Sequence, residues 1–270
     1  MKGIIALALL AAVGIVVFGR MGQAEVYVGQ RVRGTLPFER IDHSEWDRLL
    51  KTYVDADGMV DYGAWHTSKS DRESLERYLS HLSTGDPSST ATSNAQLAFW
   101  INAYNAVTIH GILREYPTSS IRNHTAAVVG YNIWKHLQLY VNRKPYSLNQ
   151  IEHGILRKKN DPRIHFAIVC ASVSCPRLLN EAYTANRIQD QLDTNARDFF
   201  GRSRNFRHDG EKLQLSSILK WFDVDFGASQ TERLQKIAKW LPNDRVQQAV
   251  ESGRVKVRYL DYDWNLNEQR

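Results

Sequence analysis

Ser93-Asn94-Ala95-Gln96-Leu97-Ala98-Phe99-Trp100-Ile101-Asn102-Ala103-Tyr104-Asn105-Ala106-Val107-Thr108-Ile109-His110-Gly111-Ile112-Leu113-Arg114-Glu115-Tyr116, followed by Pro117, decides how the chain is read. Ser93 to Gln96 reads as a cap, and Pro117 stops the helix because it lacks an N–H and cannot continue the ladder. Leu97, Trp100, Ile101, Tyr104, Val107 and Ile112 supply the apolar surface. Asn102 and Asn105 are three residues apart and therefore share one face. Two amides among apolar neighbours need partners if buried. They either orient a ligand or tie the helix to a neighbouring loop, and both are candidate substrate-binding residues.

Shorter elements surround this helix. Ser44-Glu45-Trp46-Asp47 resembles a capping box that opens a helix to about Tyr53. Asp57-Gly58 makes a tight turn, and Asp55 to Gly58 lacks the remaining ligands of a calcium loop. Asp71 to Leu82 is amphipathic. His136 to Val141 alternates as a half-buried strand, Asn142-Arg143-Lys144 turns the chain, and Ser147 to Gln150 caps a helix from Leu148 to Arg157. Arg163 to Val169 is a compact apolar run expected as a buried strand. Helices follow over Thr184–Phe200, Ser217–Phe222, Thr231–Leu241 and Arg245–Glu251, with strands at Leu213–Leu215 and Val255–Tyr259. The class is α+β: a predominantly helical single domain, 25–270, with a small sheet.

The chain begins with Lys2 and an apolar run from Ile4 to Phe18, ending in Gly22-Gln23-Ala24. This has the charge, length and small residues of a signal peptide cut after Ala24, so residues 1–24 are expected to be removed and the destination to be periplasmic or secreted. No second long apolar run follows, so no membrane span is expected after cleavage. The net charge is +6, of which Lys2 and Arg20 supply two, leaving +4 on the mature chain. That excess is scattered and forms no basic stripe interleaved with aromatics, which argues against nucleic-acid binding. Gly-rich cradles for nucleotides and dinucleotides are missing, and no cofactor is expected.

Two segments carry candidate chemistry. In Ile151-Glu152-His153-Gly154-Ile155-Leu156-Arg157, Glu152 can exchange a proton or hold a base. His153 can act as a general base, and Arg157 lies one turn beyond it as a candidate substrate-binding residue. The alternative is a salt bridge with a surface histidine. In Arg163-Ile164-His165-Phe166-Ala167-Ile168-Val169-Cys170-Ala171-Ser172-Val173-Ser174-Cys175-Pro176, His165 is a polar residue near the head of an apolar run. Cys175 before Pro176 reads as a helix N-cap, which would stabilise a thiolate. In an exported chain the nearby pair Cys170 and Cys175 is most simply a disulfide, which competes with that reading. His165, Cys170 and Cys175 do not have a familiar zinc spacing, and no metal is expected. Neither Ser172 nor Ser174 sits in a G-x-S-x-G elbow.

Phe99-Trp100-Ile101-Asn102-Ala103-Tyr104-Asn105-Ala106, Ile151 to Arg157, the His165 and Cys170–Pro176 segments, Trp221-Phe222-Asp223-Val224-Asp225-Phe226 and Tyr262-Asp263-Trp264-Asn265-Leu266-Asn267 together resemble the domain of unknown function 547 family. The resemblance runs from about Trp46 to Asn267 and implies no established activity. A long helix followed by a strand carrying a histidine is also similar to transglutaminase-like and papain-like folds. Those folds place a nucleophilic cysteine at the start of the helix, and this helix has none.

Three functions are therefore expected to compete. The first is a thiol- or His-assisted hydrolase or acyl transferase using His165, Cys175, Cys170, His153 and Glu152 on a small-molecule or peptide ligand. The second is a non-catalytic binding module braced by a structural disulfide. The third is a thiol–disulfide exchange protein, against which the absence of C-x-x-C spacing counts.

Overall fold

The computed structural model describes residues 25–126, 131–209, 212–253 and 255–270. The expected signal peptide lies outside them. The fold is α+β, with short helices gathered around one long helix and two small three-stranded sheets.

The long helix spans Ser93–Glu115 and is buried on nearly every side. A helix apolar all round belongs in the centre of a protein, and this one is the axis of the main core. Its cap differs by one residue from expectation: the Thr92 hydroxyl accepts the Ala95 N–H at 3.2 Å. Helices Ser44–Tyr53, Tyr62–Thr67 and Lys69–Leu82 pack on its flank through Trp46, Trp65 and Tyr78, all almost fully buried. No side chain caps the first of these through Ser44. Asp42 does the work instead, accepting the Ser44 N–H and hydroxyl at 2.9 Å each.

Strands β1 (Val26–Val28), β2 (Leu137–Val141) and β3 (Lys144–Ser147) form the first sheet. β2 and β3 make a hairpin at the turn expected over Asn142 to Lys144, though β3 itself was not expected. Asn142 and Arg143 both take positive φ, 45° and 67°, the combination that matches the twist of a two-residue turn. β1 pairs parallel to β2 across more than a hundred residues, Val26 opposite Leu137. The second sheet holds β4 (Phe206–Asp209), β5 (Lys212–Leu215) and β6 (Lys256–Tyr259), with β4 antiparallel and β6 parallel to β5. Leu213 and Leu215 point from it into a second apolar cluster with Phe199, Phe226, Ile237 and Trp240. Phe166 belongs to this cluster while its neighbours Ile164 and Ala167 belong to the main core, so the segment carrying His165 runs along the seam between the two.

That segment is not the expected strand. Pro162–Phe166 is a 3₁₀ turn, opened by the Asp161 carboxylate accepting the Arg163 N–H with Pro162 in the first turn. A short apolar run has no period that separates a strand from a buried turn, and here the Asp-Pro start signal wins. The Leu148–Arg157 helix forms with its expected capping box, Ser147 against Gln150, but widens at Glu152. The Arg157 N–H donates to the Glu152 carbonyl five residues back, a π turn of the kind that recurs at functional sites.

The Asp57-Gly58 turn has a strict requirement. Gly58 has φ +77°, and a Cβ there would lie 2.5 Å from Arg177 Cβ and 2.7 Å from the Leu178 amide nitrogen. Gly58→Ala is expected to destabilise by at least about 1–2 kcal/mol, read as a lower midpoint in urea unfolding, because both the left-handed backbone and the neighbouring main chain resist it. An unchanged midpoint would contradict the packing described here.

Candidate functional site

The two asparagines of the long helix build the site without entering it. Asn105 donates through Nδ2 to the Ala167 carbonyl at 2.9 Å and accepts the Val169 N–H at 3.0 Å. Asn102 does the same for one residue, donating to the Tyr183 carbonyl at 2.8 Å and accepting its N–H at 3.0 Å. Asn195 adds a bond to the Phe166 carbonyl at 3.2 Å. The stretch between His165 and Tyr183 lies outside the sheets, so its main-chain groups take side-chain amides in place of a ladder. Both Asn102 and Asn105 are thus buried backbone ties away from the cleft described next.

From the other side the C-terminal segment grips the same stretch. Val173 N–H donates to the Asn265 carbonyl at 2.9 Å, and Asp263 N–H to Ser174 Oγ at 2.9 Å. Ala171, with φ +55°, turns the chain just before them. Cys170 and Cys175 are joined as a disulfide with Cα atoms 6.3 Å apart. The chain beyond Pro176 is irregular, not helical, so Cys175 is not the expected N-cap. The pairing also removes both thiolates as metal ligands in this oxidised state.

A cleft of about 220 Å³ opens over this loop. Glu152, His153, His165, Cys170 and Cys175 all line it, so five of the sequence candidates do converge. Trp134, Trp221, Tyr262 and Trp264 wall it with aromatic surface. Trp221 stacks on Trp264 with ring centroids 5.6 Å apart and is 47% exposed, which makes it the rim of the cleft.

At one end lies a connected set of charges. His165 Nε2 meets Asp225 Oδ2 at 2.7 Å, and its ring stacks on Phe222 at 4.2 Å. Arg157 clamps the same carboxylate with two bonds, Nε at 2.6 Å and Nη2 at 2.8 Å. Arg157 Nη1 donates to His153 Nδ1 at 3.0 Å. Arg157 is thereby engaged behind the cleft by Asp225 and His153. Burial acts to raise the Asp225 carboxyl, but the Arg157 and His165 hydrogen bonds outweigh it and hold it below the ordinary carboxylate range. Burial pushes His165 down to about 4 against the opposing pull of Asp225, so the ring is neutral at neutral pH. With Nε2 committed to Asp225, Nδ1 has no partner among the described residues and can accept a proton. His153 is also lowered, by burial and then by the Arg157 charge.

Glu152 is the second proton-handling group. Burial raises it to about 7, opposed by the Tyr104 hydroxyl, which donates to Oε2 at 3.2 Å. The cleft therefore holds a carboxylic acid about half protonated at neutrality, and protonated below it, beside a neutral imidazole held by a carboxylate. Two titratable groups pushed in these directions form an acid and a base available at the same pH.

Asp225, Tyr104 and Tyr262 were not legible as site residues. Asp225 sits 60 residues after its histidine in a four-residue helix, Asp223–Phe226, and only its acidic character within an aromatic motif marked it. Tyr262 brings its hydroxyl 3.1 Å from Cys170 Sγ and 3.3 Å from Cys175 Sγ.

Among the described residues no helix is long and apolar enough to cross a membrane. Among the described residues His165 stands on a turn instead of the expected strand, and the long helix carries no cysteine, so the likeness to transglutaminase- and papain-like folds is not confirmed. No curated protein matches the chain, and no solved structure does. Residues 88–200, which carry both asparagine ties, Glu152, both cleft histidines and the disulfide loop, match the family described as "Protein of unknown function, DUF547", the family that the sequence motifs resemble.

Proposed function

We propose that the chain is an exported hydrolase or acyl transferase in which His165, held by Asp225, is the general base and Glu152 the general acid. The observation that carries this reading is the pairing, in one aromatic-walled cleft, of the Asp225–His165 contact at 2.7 Å with a Glu152 carboxyl raised to about 7. His165 Nδ1 takes a proton from water or an acceptor hydroxyl as it attacks an acyl carbon, and Glu152 gives its proton to the departing group. The closed disulfide leaves no free thiol, which favours the His-assisted branch over the thiol-assisted one in this state. At about 220 Å³ the cleft is smaller than pockets for drug-sized ligands, which limits it to a small acyl group or the end of a peptide.

Export rests on the first 24 residues and agrees with a disulfide partner pair. It predicts that the chain isolated outside the cytoplasm starts at Glu25, read by N-terminal sequencing. A chain still starting at Met1 would contradict cleavage.

The test of function is a panel of chromogenic small esters and amides, with p-nitrophenyl acetate as the first probe. Turnover in the wild type that disappears in His165→Ala supports the reading. Turnover equal in the two proteins, or none above buffer across the panel, overturns it in favour of a binding module with a structural disulfide.

A further inference from the structure

Hydrogen-bond donors gather on the disulfide in a way that a merely structural cross-link does not require. The Cys170 backbone N–H donates to Cys175 Sγ at 2.9 Å. The Tyr262 hydroxyl lies 3.3 Å and the Ser172 hydroxyl 3.6 Å from the same sulfur, and both reach Cys170 Sγ as well, at 3.1 and 3.0 Å. Ser172 and Tyr262 are also bonded to each other at 3.2 Å, so the two hydroxyls are held in place together. The Cys170 N–H would stabilise negative charge on Cys175 Sγ in particular, while the Tyr262 hydroxyl, with Ser172 donating to it, can serve either sulfur. Cys175 is 2% exposed, whereas Cys170 is partly exposed, and both line the cleft.

We infer that the Cys170–Cys175 pair is a thiol–disulfide exchange site, attacked at Cys170 Sγ by an external thiol entering the cleft, with Cys175 as the leaving thiolate. Attack falls on the accessible sulfur whose partner leaves best, and the Cys170 N–H, which reaches Cys175 Sγ, together with the greater exposure of Cys170 makes Cys175 that partner. The incoming thiolate forms a bond to Cys170 Sγ as the S–S bond breaks, and the electron pair of that bond stays on Cys175 Sγ. A second thiol of the same dithiol then attacks the mixed disulfide and frees Cys170. Two electrons pass from the dithiol, which ends as a disulfide, to the protein, which ends with two thiols carrying the dithiol's protons. The four-residue spacing between the cysteines is wider than in C-x-x-C pairs, and the main-chain N–H of Cys170 supplies the stabilisation of sulfur that a helix start supplies elsewhere. This exchange shares the cleft with the proposed acid–base chemistry but does not depend on it.

The experiment exposes the native oxidised full chain to dithiothreitol, quenches with N-ethylmaleimide and reads the mass with time. Reduction at least about tenfold faster than global unfolding is expected, and Tyr262→Phe is expected to slow it several-fold. Cys175→Ser should capture glutathione from its disulfide on Cys170, while Cys170→Ser should leave Cys175 unmodified in the folded protein. Reduction of the wild type no faster than unfolding, or capture at Cys175 in preference to Cys170, would overturn the inference. If either serine variant fails to fold, the wild-type rate still decides. Because the readout is mass, its failure is separate from any loss of ester turnover.

Discussion

Glu152→Gln is expected to lower turnover by about 10²–10⁴-fold, the range for loss of a positioned proton donor. The carboxamide keeps the shape and the Tyr104 contact but has no acidic proton to give. The pH profile is the sharper readout. His165 is neutral, and so able to accept, above about 4, and Glu152 is protonated, and so able to donate, below about 7. The wild-type rate should therefore rise through about 4 and fall through about 7, a bell with an acidic maximum, and Glu152→Gln should lose the falling limb. Stability gives an independent check. Glu152 has a folded value of about 7 against an ordinary 4.5, so the folded chain holds a proton that the unfolded chain releases between them. Its contribution is fully present below 4.5 and is lost as pH rises through 7. The shift corresponds to about 3 kcal/mol, and the difference in unfolding free energy between wild type and Glu152→Gln should change by about that amount across this window. A parallel pH dependence in the two proteins would contradict a raised Glu152.

The second large effect is structural. Asn105→Ala is expected to cost about 2–5 kcal/mol, because it leaves the Ala167 carbonyl and the Val169 N–H buried without partners. Urea unfolding measures it. The same loss should loosen His165 and Cys170, which flank the tied residues, so turnover should fall more than the folded fraction does. Thr108→Ala is the comparison. Among the described residues its hydroxyl bonds only the Tyr104 carbonyl one turn back, so its loss should cost about 1 kcal/mol. Equal costs at the two positions would show that the amide of Asn105 is not a main-chain tie.

Most of the helices could be read from sequence because their signals are local. The Ser93–Glu115 helix has its cap, Thr92, and its stopping proline, Pro117, right at its two ends, and the β2–β3 hairpin carries its turn. The site was legible as a set of residue types. Glu152, His153, His165 and the cysteines could be picked out because titratable groups in apolar segments are conspicuous. What joins them could not. Asp225 reaches His165, Tyr262 reaches the sulfurs, and β1 reaches β2 across tens to more than a hundred residues, and no local pattern encodes such partners. Two of the local errors bear on the site. Asp161-Pro162 starts a turn that a run of apolar residues made look like a strand, and Pro176 opens an irregular segment where a helix start was expected. The asparagines fell between the two cases. Their shared face was readable from the spacing, whereas their partners, Ala167, Val169 and Tyr183, were set by the tertiary fold.

The central claim is that one cleft holds a protonated Glu152 beside a neutral, Asp225-held His165, and it does not need a substrate to be tested. Carboxyl carbons of ¹³C-labelled glutamate, followed by NMR from pH 3 to 9 and assigned through Glu152→Gln, report this group directly. The structure predicts a titration at about 7. A Glu152 carboxyl that titrates at its ordinary value of 4.5 would contradict the acid–base pair and with it the proposed chemistry.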